Sequence, residues 1–266
     1  MQLSYAISTM IFWWRENKLS FEQECQYLKS MGFGVELWPN TGSLDECRYD
    51  RRNWSRLSAA TEGMLVVMRS RNDYPTLDQW DEQIKCARML DAGIVADLQS
   101  MGIAENGEPS DFGFAFDIMK IAEKNDVKIA LETGDLAKVK EAGEQLDSLL
   151  YCLDTGRANL DKVFGFRRYV DELAPRIGHL HLNDNYGRND DHLPPGLQGG
   201  IQRKNWDYLL EQLAGYDTDL VATFEMSPPM PTVMIRQATE FMFKKLGWPG
   251  RPKQASVPAR AVYNPR

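Results

Sequence analysis

A length of 266 residues matches the roughly 250 that one α/β barrel uses and argues for a single large domain. Hydrophobic residues at 43% and charged residues at 26% lie in the ordinary globular range and exclude a disordered chain. A formal charge of −7 supplies no general positive field, so neither nucleic acid nor an anionic membrane is an expected partner.

The N-terminal stretch MQLSYAISTMIFWWRENK contains an apolar run too short to span a bilayer, and it lacks both a basic leader and a small-residue cleavage pattern. Cys25, Cys47, Cys86 and Cys152 are scattered without a CxxC pair, as suits reduced structural thiols. Together these features predict a cytoplasmic location. Along the chain, short apolar runs rich in β-branched residues alternate with stretches of helical period. In order, the predicted strands are LSYAIS, GVELW, MLVVMRS, IVADLQ, VKIALET, LLYCLDT, IGHLHLN and LVATFEM. Each is continuously apolar rather than alternating, as strands buried on both faces are. Between them, FEQECQYLKSMG, TLDQWDEQIKCARMLDAG, FGFAFDIMKIAEKND and NWDYLLEQLAGYD repeat apolar residues three and four positions apart. Several end in Gly or Asn-Asp, a helix stop followed directly by the next strand. Eight such units without a break in composition predict an α/β fold, a single (β/α)8 TIM barrel over residues 1–248. The alternative, an open doubly wound sheet, fits less well, because the glycine pattern MGFGVE precedes a strand instead of following one. Over 249–266, prolines and basic residues without periodicity predict an extended tail, on the surface, frayed, or reaching a neighbouring subunit.

Four predicted strands of the second half end in acidic or imidazole residues, in LET, CLDT, HLHLND and TFEM. Barrel enzymes build their sites at this end, so Glu132, Asp154, His181 and Glu225 are expected to converge. Three carboxylates with one neutral imidazole suit a hard or borderline divalent cation, and without one the buried acids would repel. One ion is therefore expected, manganese by preference, with magnesium, cobalt and zinc as alternatives. Taken alone, Asp154 before TGRAN reads equally well as a helix N-cap, whereas Glu132 and Glu225 each follow a buried run where an unpaired carboxylate is costly. Alternation in IGHLHLND puts His179 and His181 on one face, with His181 nearer the rim and His179 deeper. Trp13, Trp14 and Trp38 stand near predicted strand ends and are candidates for an apolar wall of the site, Trp38 first; core packing is the plainer alternative. Glu36, on the strand of Trp38, faces the barrel interior or a buried structural partner.

The stretches GFGVELW, ALETG, CLDTG, GHLHLNDN followed by DDHLPPG, NWDYLLEQLAGYD and LVATFEM cover nearly the whole chain and resemble the xylose-isomerase-like superfamily of sugar isomerases and epimerases. That superfamily includes ketose 3-epimerases, hydroxypyruvate isomerase, inosose isomerases and dehydratases, dehydroshikimate dehydratase and apurinic endonucleases. The resemblance implies metal ligands at Glu132, Asp154, His181 and Glu225. It also implies that Glu132 and Glu225 approach opposite faces of a substrate carbon, one removing a proton and the other returning one, through an enediolate. The motifs are specific for the superfamily and not for a substrate. An isomerase or epimerase acting on a sugar, keto-sugar or polyol-derived ketone is the first reading. The alternatives are a dehydratase or lyase, with His192 or Arg157 as general acid, and a noncatalytic barrel partner.

Two departures stand out. Many relatives carry a histidine three positions after the Asp, where this chain has Arg157, in DTGRANL. The change removes a substrate-contacting imidazole or an extra zinc ligand, and it supplies a guanidinium that binds a carboxylate or phosphate bidentately or makes a surface ion pair. The second departure, PPGLQGGIQRKNW, is longer than the compact turn of relatives and reshapes the pocket. Asp190 and His192 resemble a nuclease element, yet His179, His181 and His192 are the only histidines, too few for a three-zinc site. Homo-oligomers are common in the superfamily; no sequence feature marks an interface.

Overall fold

The computed structural model describes residues 2–13, 19–40, 47–71, 74–104, 111–216, 219–228 and 230–249. Trp14 and the expected tail beyond Pro249 lie outside the described residues. The first half runs β1 (Gln2–Ser8), α1 (Phe21–Ser30), β2 (Gly34–Leu37), α2 (Trp54–Thr61), β3 (Val66–Arg69), α3 (Leu77–Leu90), β4 (Gly93–Ala96) and α4 (Gly113–Lys124). The second half runs β5 (Ile129–Glu132), α5 (Leu136–Gln145), β6 (Leu150–Asp154), α6 (Thr155–Leu160), α7 (Gly165–Leu173), β7 (Ile177–Leu182), α8 (Arg203–Ala214), β8 (Asp219–Phe224) and α9 (Thr232–Glu240).

The strands form a closed parallel barrel in chain order, β1 to β8, with β8 paired back onto β1. Every strand read from the sequence is present, most of them shorter than predicted. In IVADLQ the reason is local: the Asp97 carboxylate accepts the Ser100 N–H at 2.7 Å and bends the chain out of the sheet. Helix starts are likewise set by nearby side chains. Ser20 with Gln23 and Thr76 with Gln79 form reciprocal capping boxes at α1 and α3, satisfying backbone donors that a helix end leaves free.

Strand alternation divides the interior into two cores. One face of each strand, including Ile7, Leu37, Met68, Leu131, Leu180 and Phe224, joins the large apolar cluster shared with the helices and with Trp80 and Trp206. The other face forms a separate small cluster inside the barrel, built from Val67, Val95, Ala130 and Cys152. Side chains two residues further along a strand return to the same face. Above this apolar floor the same alternation places Arg69, Glu132 and Asp154, and beside them His181 above His179 and Glu225 above Thr223. The site is thus the next interior layer of the barrel, at the strand ends.

All four cysteines are free and buried, and burial pushes the thiols of Cys25, Cys86 and Cys152 up to about 12. With thiolate so disfavoured, Ellman's reagent at about pH 8 is expected to leave these three untouched in the folded protein and to titrate them on unfolding in guanidinium. Rapid native-state labelling of any of the three, located by peptide mass spectrometry, would contradict this packing.

Candidate metal centre at the barrel mouth

One donor atom from each of Glu132, Asp154, His181 and Glu225 lies within 4.8 Å of the other three, and all four side chains are buried. Glu132 and Asp154 are the last residues of β5 and β6, His181 stands one residue before the end of β7, and Glu225 directly follows β8. The expected convergence is therefore present. His181 Nδ1 is the hub, 2.7 Å from Glu132 Oε1, 3.1 Å from Glu225 Oε2 and 3.9 Å from Asp154 Oδ2. Its Nε2 points the other way and lies 3.0 Å from Glu36 Oε2. A carboxylate behind an imidazole fixes ring orientation and tautomer, leaving the opposite nitrogen for a cation. Burial works against protonation of His181, but the Glu225 and Glu36 carboxylates outweigh it and hold its pKa well above the ordinary histidine value.

Two cations complete the mouth, Arg157, singled out in the sequence, and Arg69, which the sequence reading missed. Glu132 Oε2 accepts from Arg69 Nη2 at 2.5 Å and lies 2.9 Å from Arg157 Nη1. Burial alone would raise the Glu132 pKa; Arg69 and then Arg157 overcome it and hold the carboxyl well below the usual range. The signal for Arg69 was available, since period-two alternation from Val67 in VVMR carries it to the interior face. Arg157, beside the acids as its position implied, is no mere surface pair. Its Nη1 also donates to the Thr133 carbonyl at 3.2 Å, and its Nε is 3.6 Å from Asp190 Oδ2.

Asp154 caps a helix and also lies in the acidic group. Its Oδ1 accepts the Arg157 backbone N–H at 2.8 Å, capping α6, while Oδ2 accepts from Asn183 Nδ2 at 2.8 Å. Burial, reinforced by Glu132, raises its pKa. Gly156 makes the close approach of α6 to the β7 exit possible: a Cβ there would sit 1.9 Å from Asn183 Oδ1. The loop after β7 is pinned by buried Asp184, whose carboxylate accepts the N–H groups of Ile201 at 2.7 Å and Gly196 at 3.1 Å. His192 lies on this loop at φ 46°, a left-handed backbone, and its Nδ1 donates to the Glu225 carbonyl at 3.1 Å. Burial opposes its protonation, but Asp190, Glu225 and Asp154 push its pKa up to about 9.

Trp38 follows β2, half-buried, and its Nε1 donates to Ser8 Oγ at 2.8 Å. The Arg69 guanidinium lies over its ring, 5.3 Å from the centroid, and Trp13 meets it edge-on at 4.9 Å. These two indoles thus form one wall with Arg69. His179 is deeper, as expected, hydrogen-bonded through Nε2 to Thr223 Oγ1 at 3.0 Å. It joins Cys152 and His181 in a second group with donor atoms within 4.8 Å, but its Nε2 is already taken up by Thr223 Oγ1 and lies 3.3 Å from Glu36 Oε2. The four-residue group fits a divalent ion better. It crowds three buried carboxylates around a single imidazole nitrogen, an arrangement that a cation relieves.

A family model described as a xylose isomerase-like TIM barrel matches residues 70–245, and the chain belongs to this family. The structure is similar to that of a D-tagatose 3-epimerase-like protein, with a TM-score of 0.70 and 19% identity, covering 91% of this chain and 97% of that one. It is also similar to a xylose isomerase domain protein from Alicyclobacillus acidocaldarius subsp. acidocaldarius, with a TM-score of 0.66, 14% identity and coverage of 92% and 98%. A D-psicose 3-epimerase crystallised in the presence of D-fructose gives a TM-score of 0.64, 13% identity and coverage of 92% and 99%. At these identities the shared property is the fold. No curated protein matches the sequence. Among the described residues, no helix is long and apolar enough to cross a membrane.

Replacing Glu36 with Gln keeps its shape but removes the carboxylate behind His181. Manganese affinity is expected to fall about 10–100-fold, the range for lost carboxylate–histidine support. Isothermal titration checks this, and unchanged affinity would show that Glu36 does not orient the ring.

Proposed function

We propose that this chain is a divalent-metal-dependent isomerase or epimerase acting on a sugar, keto-sugar or polyol-derived ketone by proton transfer at carbon. The observation that carries the reading is the approach of Glu132, Asp154 and Glu225 to His181 Nδ1 at the strand ends. These four side chains would hold the ion, manganese by preference for a mixed oxygen and nitrogen set. When bound, such an ion supplies Lewis acidity toward the oxygens of a hydroxy-ketone and so acidifies the adjacent C–H.

The protein's own groups divide the remaining work. Glu132 and Glu225 come from β5 and β8, with β6 and β7 between them, so they enter the mouth from different sides. Carboxylates in unlike surroundings take unlike roles. Two guanidiniums on Glu132 make it the weaker base, which leaves proton removal to Glu225. Arg157 reaches the same mouth from α6 and binds substrate oxygen. Trp38 and Trp13 form an apolar wall against the carbon skeleton.

One observation favours a second reading. His192, held protonated by Asp190, has Nδ1 3.7 Å from Glu225 Oε2, where a proton donor could assist loss of a β-hydroxyl after the same abstraction. The chain would then be a dehydratase or lyase.

Metal analysis by mass spectrometry is expected to find about one ion per wild-type chain and none in a His181→Ala, Glu225→Gln double variant. Exchange of a substrate α-hydrogen with solvent deuterium without loss of water supports the isomerase; an ultraviolet-absorbing unsaturated product supports the lyase. Glu225→Gln alone is expected to slow exchange by about 10²–10⁴-fold, the usual contribution of a general base. Failure of wild type to bind manganese, cobalt or zinc would sink the reading.

A further inference from the structure

A groove between α7, α8 and the loop after β7 gathers positive charge that no described carboxylate neutralises. Its volume is about 510 Å³, and Lys162, Arg167 and Lys204 line it with no Asp or Glu among the lining residues. In a chain of formal charge −7 this is a local reversal of sign. Lys162 Nζ donates to the Asn159 carbonyl at 3.4 Å, and the Arg167 guanidinium lies over the Tyr208 ring, 4.5 Å from its centroid. Among the described residues, none of the three cations is paired with a carboxylate. Gly187 keeps space for the first of them, since a Cβ there would sit 2.9 Å from Lys162 Nζ. Arg167 and Lys204 stand in the first turns of their helices, where acidic residues are absent and positive charge opposes the helix dipole. An anion seated among the three side chains offsets that repulsion.

Charge alone suits any anion, and the rest of the lining narrows the class. Phe164 and Tyr186 also line the groove and are 46% and 54% exposed. The Tyr186 ring lies beside Gly199, 3.7 Å from where a Cβ would stand. Exposed aromatic side chains offer a face on which a flat ring stacks. Gln202 and Asn205 add amides that both donate and accept hydrogen bonds, as the edge of a heterocycle requires. The volume falls within the roughly 300–1,000 Å³ of small-molecule sites, more than a bare phosphate fills. A phosphate monoester joined to a flat heterocycle meets cations, rings and amides together.

We propose that this groove is a second ligand site, which takes a nucleoside monophosphate. Lys162, Arg167 and Lys204 hold the phosphate, and Tyr186 with Phe164 holds the base. The groove shares no lining residue with the group formed by Glu132, Asp154, His181 and Glu225, so the proposal is independent of the isomerase reading.

The test is isothermal titration of the full chain with AMP, GMP, CMP and UMP, after chelator treatment and dialysis so that no ion at the barrel mouth can take up phosphate. The matching nucleosides supply the ring without the phosphate, and inorganic phosphate supplies the reverse. At least one monophosphate is expected to bind with a Kd below about 1 mM, and at least about tenfold more tightly than its nucleoside or inorganic phosphate. The double variant Lys162→Gln, Lys204→Gln is expected to weaken that monophosphate by at least about tenfold. Tyr186→Ala is expected to weaken it by at least about fivefold, the lower end for loss of one stacking ring. All three positions are exposed, and unchanged thermal unfolding by circular dichroism verifies that the variants fold. No binding by any of the four monophosphates, inorganic phosphate or the nucleoside bound as tightly, or equal affinity in wild type and variants would each overturn the proposal. Binding that Arg157→Gln abolishes and the groove variants leave intact would put the phosphate at the barrel mouth and overturn it as well.

Discussion

His181 meets a carboxylate on each of its ring nitrogens, and the barrel mouth is organised around that double contact. Glu36 holds Nε2 from beneath, which turns Nδ1 toward Glu132, Glu225 and Asp154. An imidazole so held cannot rotate away without leaving buried acids unpaired, a penalty steeper than the gain from any single hydrogen bond. Strand alternation supplies the geometry, and the apolar floor of Val67, Val95, Ala130 and Cys152 keeps the acids at the rim instead of letting them sink into the barrel. The site is costly to assemble because like charges crowd together in a dry place, and that cost is what makes it suited to a cation.

Arg157 alters this balance more than its position near the surface suggests. A neutral imidazole adds a ligand or a hydrogen bond; a guanidinium adds a permanent charge. Arg69 adds a second on the same Glu132 oxygen, so Glu132 is fixed in place as a carboxylate while Glu225 has no such clamp. Two glutamates that look equivalent at strand ends are thus made unlike by their neighbours. The long loop after β7 contributes in a different way. Asp184 anchors it through backbone N–H groups, and it delivers His192 to the side of Glu225, so the loop is ordered at its base.

By itself the sequence determined the barrel, its order of elements and the acids at the rim. Continuous apolar runs, capping pairs and strand-end positions are local properties, legible over a few residues, and the superfamily motifs lie in the same short segments. Eight strands, His181 above His179, and Glu132 and Glu225 at the ends of buried runs all follow from that local code. Charge pairing across the barrel does not. Glu36 and His181 are 145 positions apart and Arg69 and Glu132 are 63 apart, and they meet only when the sheet has closed and its register is set. Only the tertiary structure decided that Asp154 both caps a helix and joins the acidic cluster, that Trp38 backs an arginine, and that two guanidiniums share one carboxylate. Closure brings side chains from separate strands into one low-dielectric space, where each charge is defined by neighbours that the chain order keeps far apart.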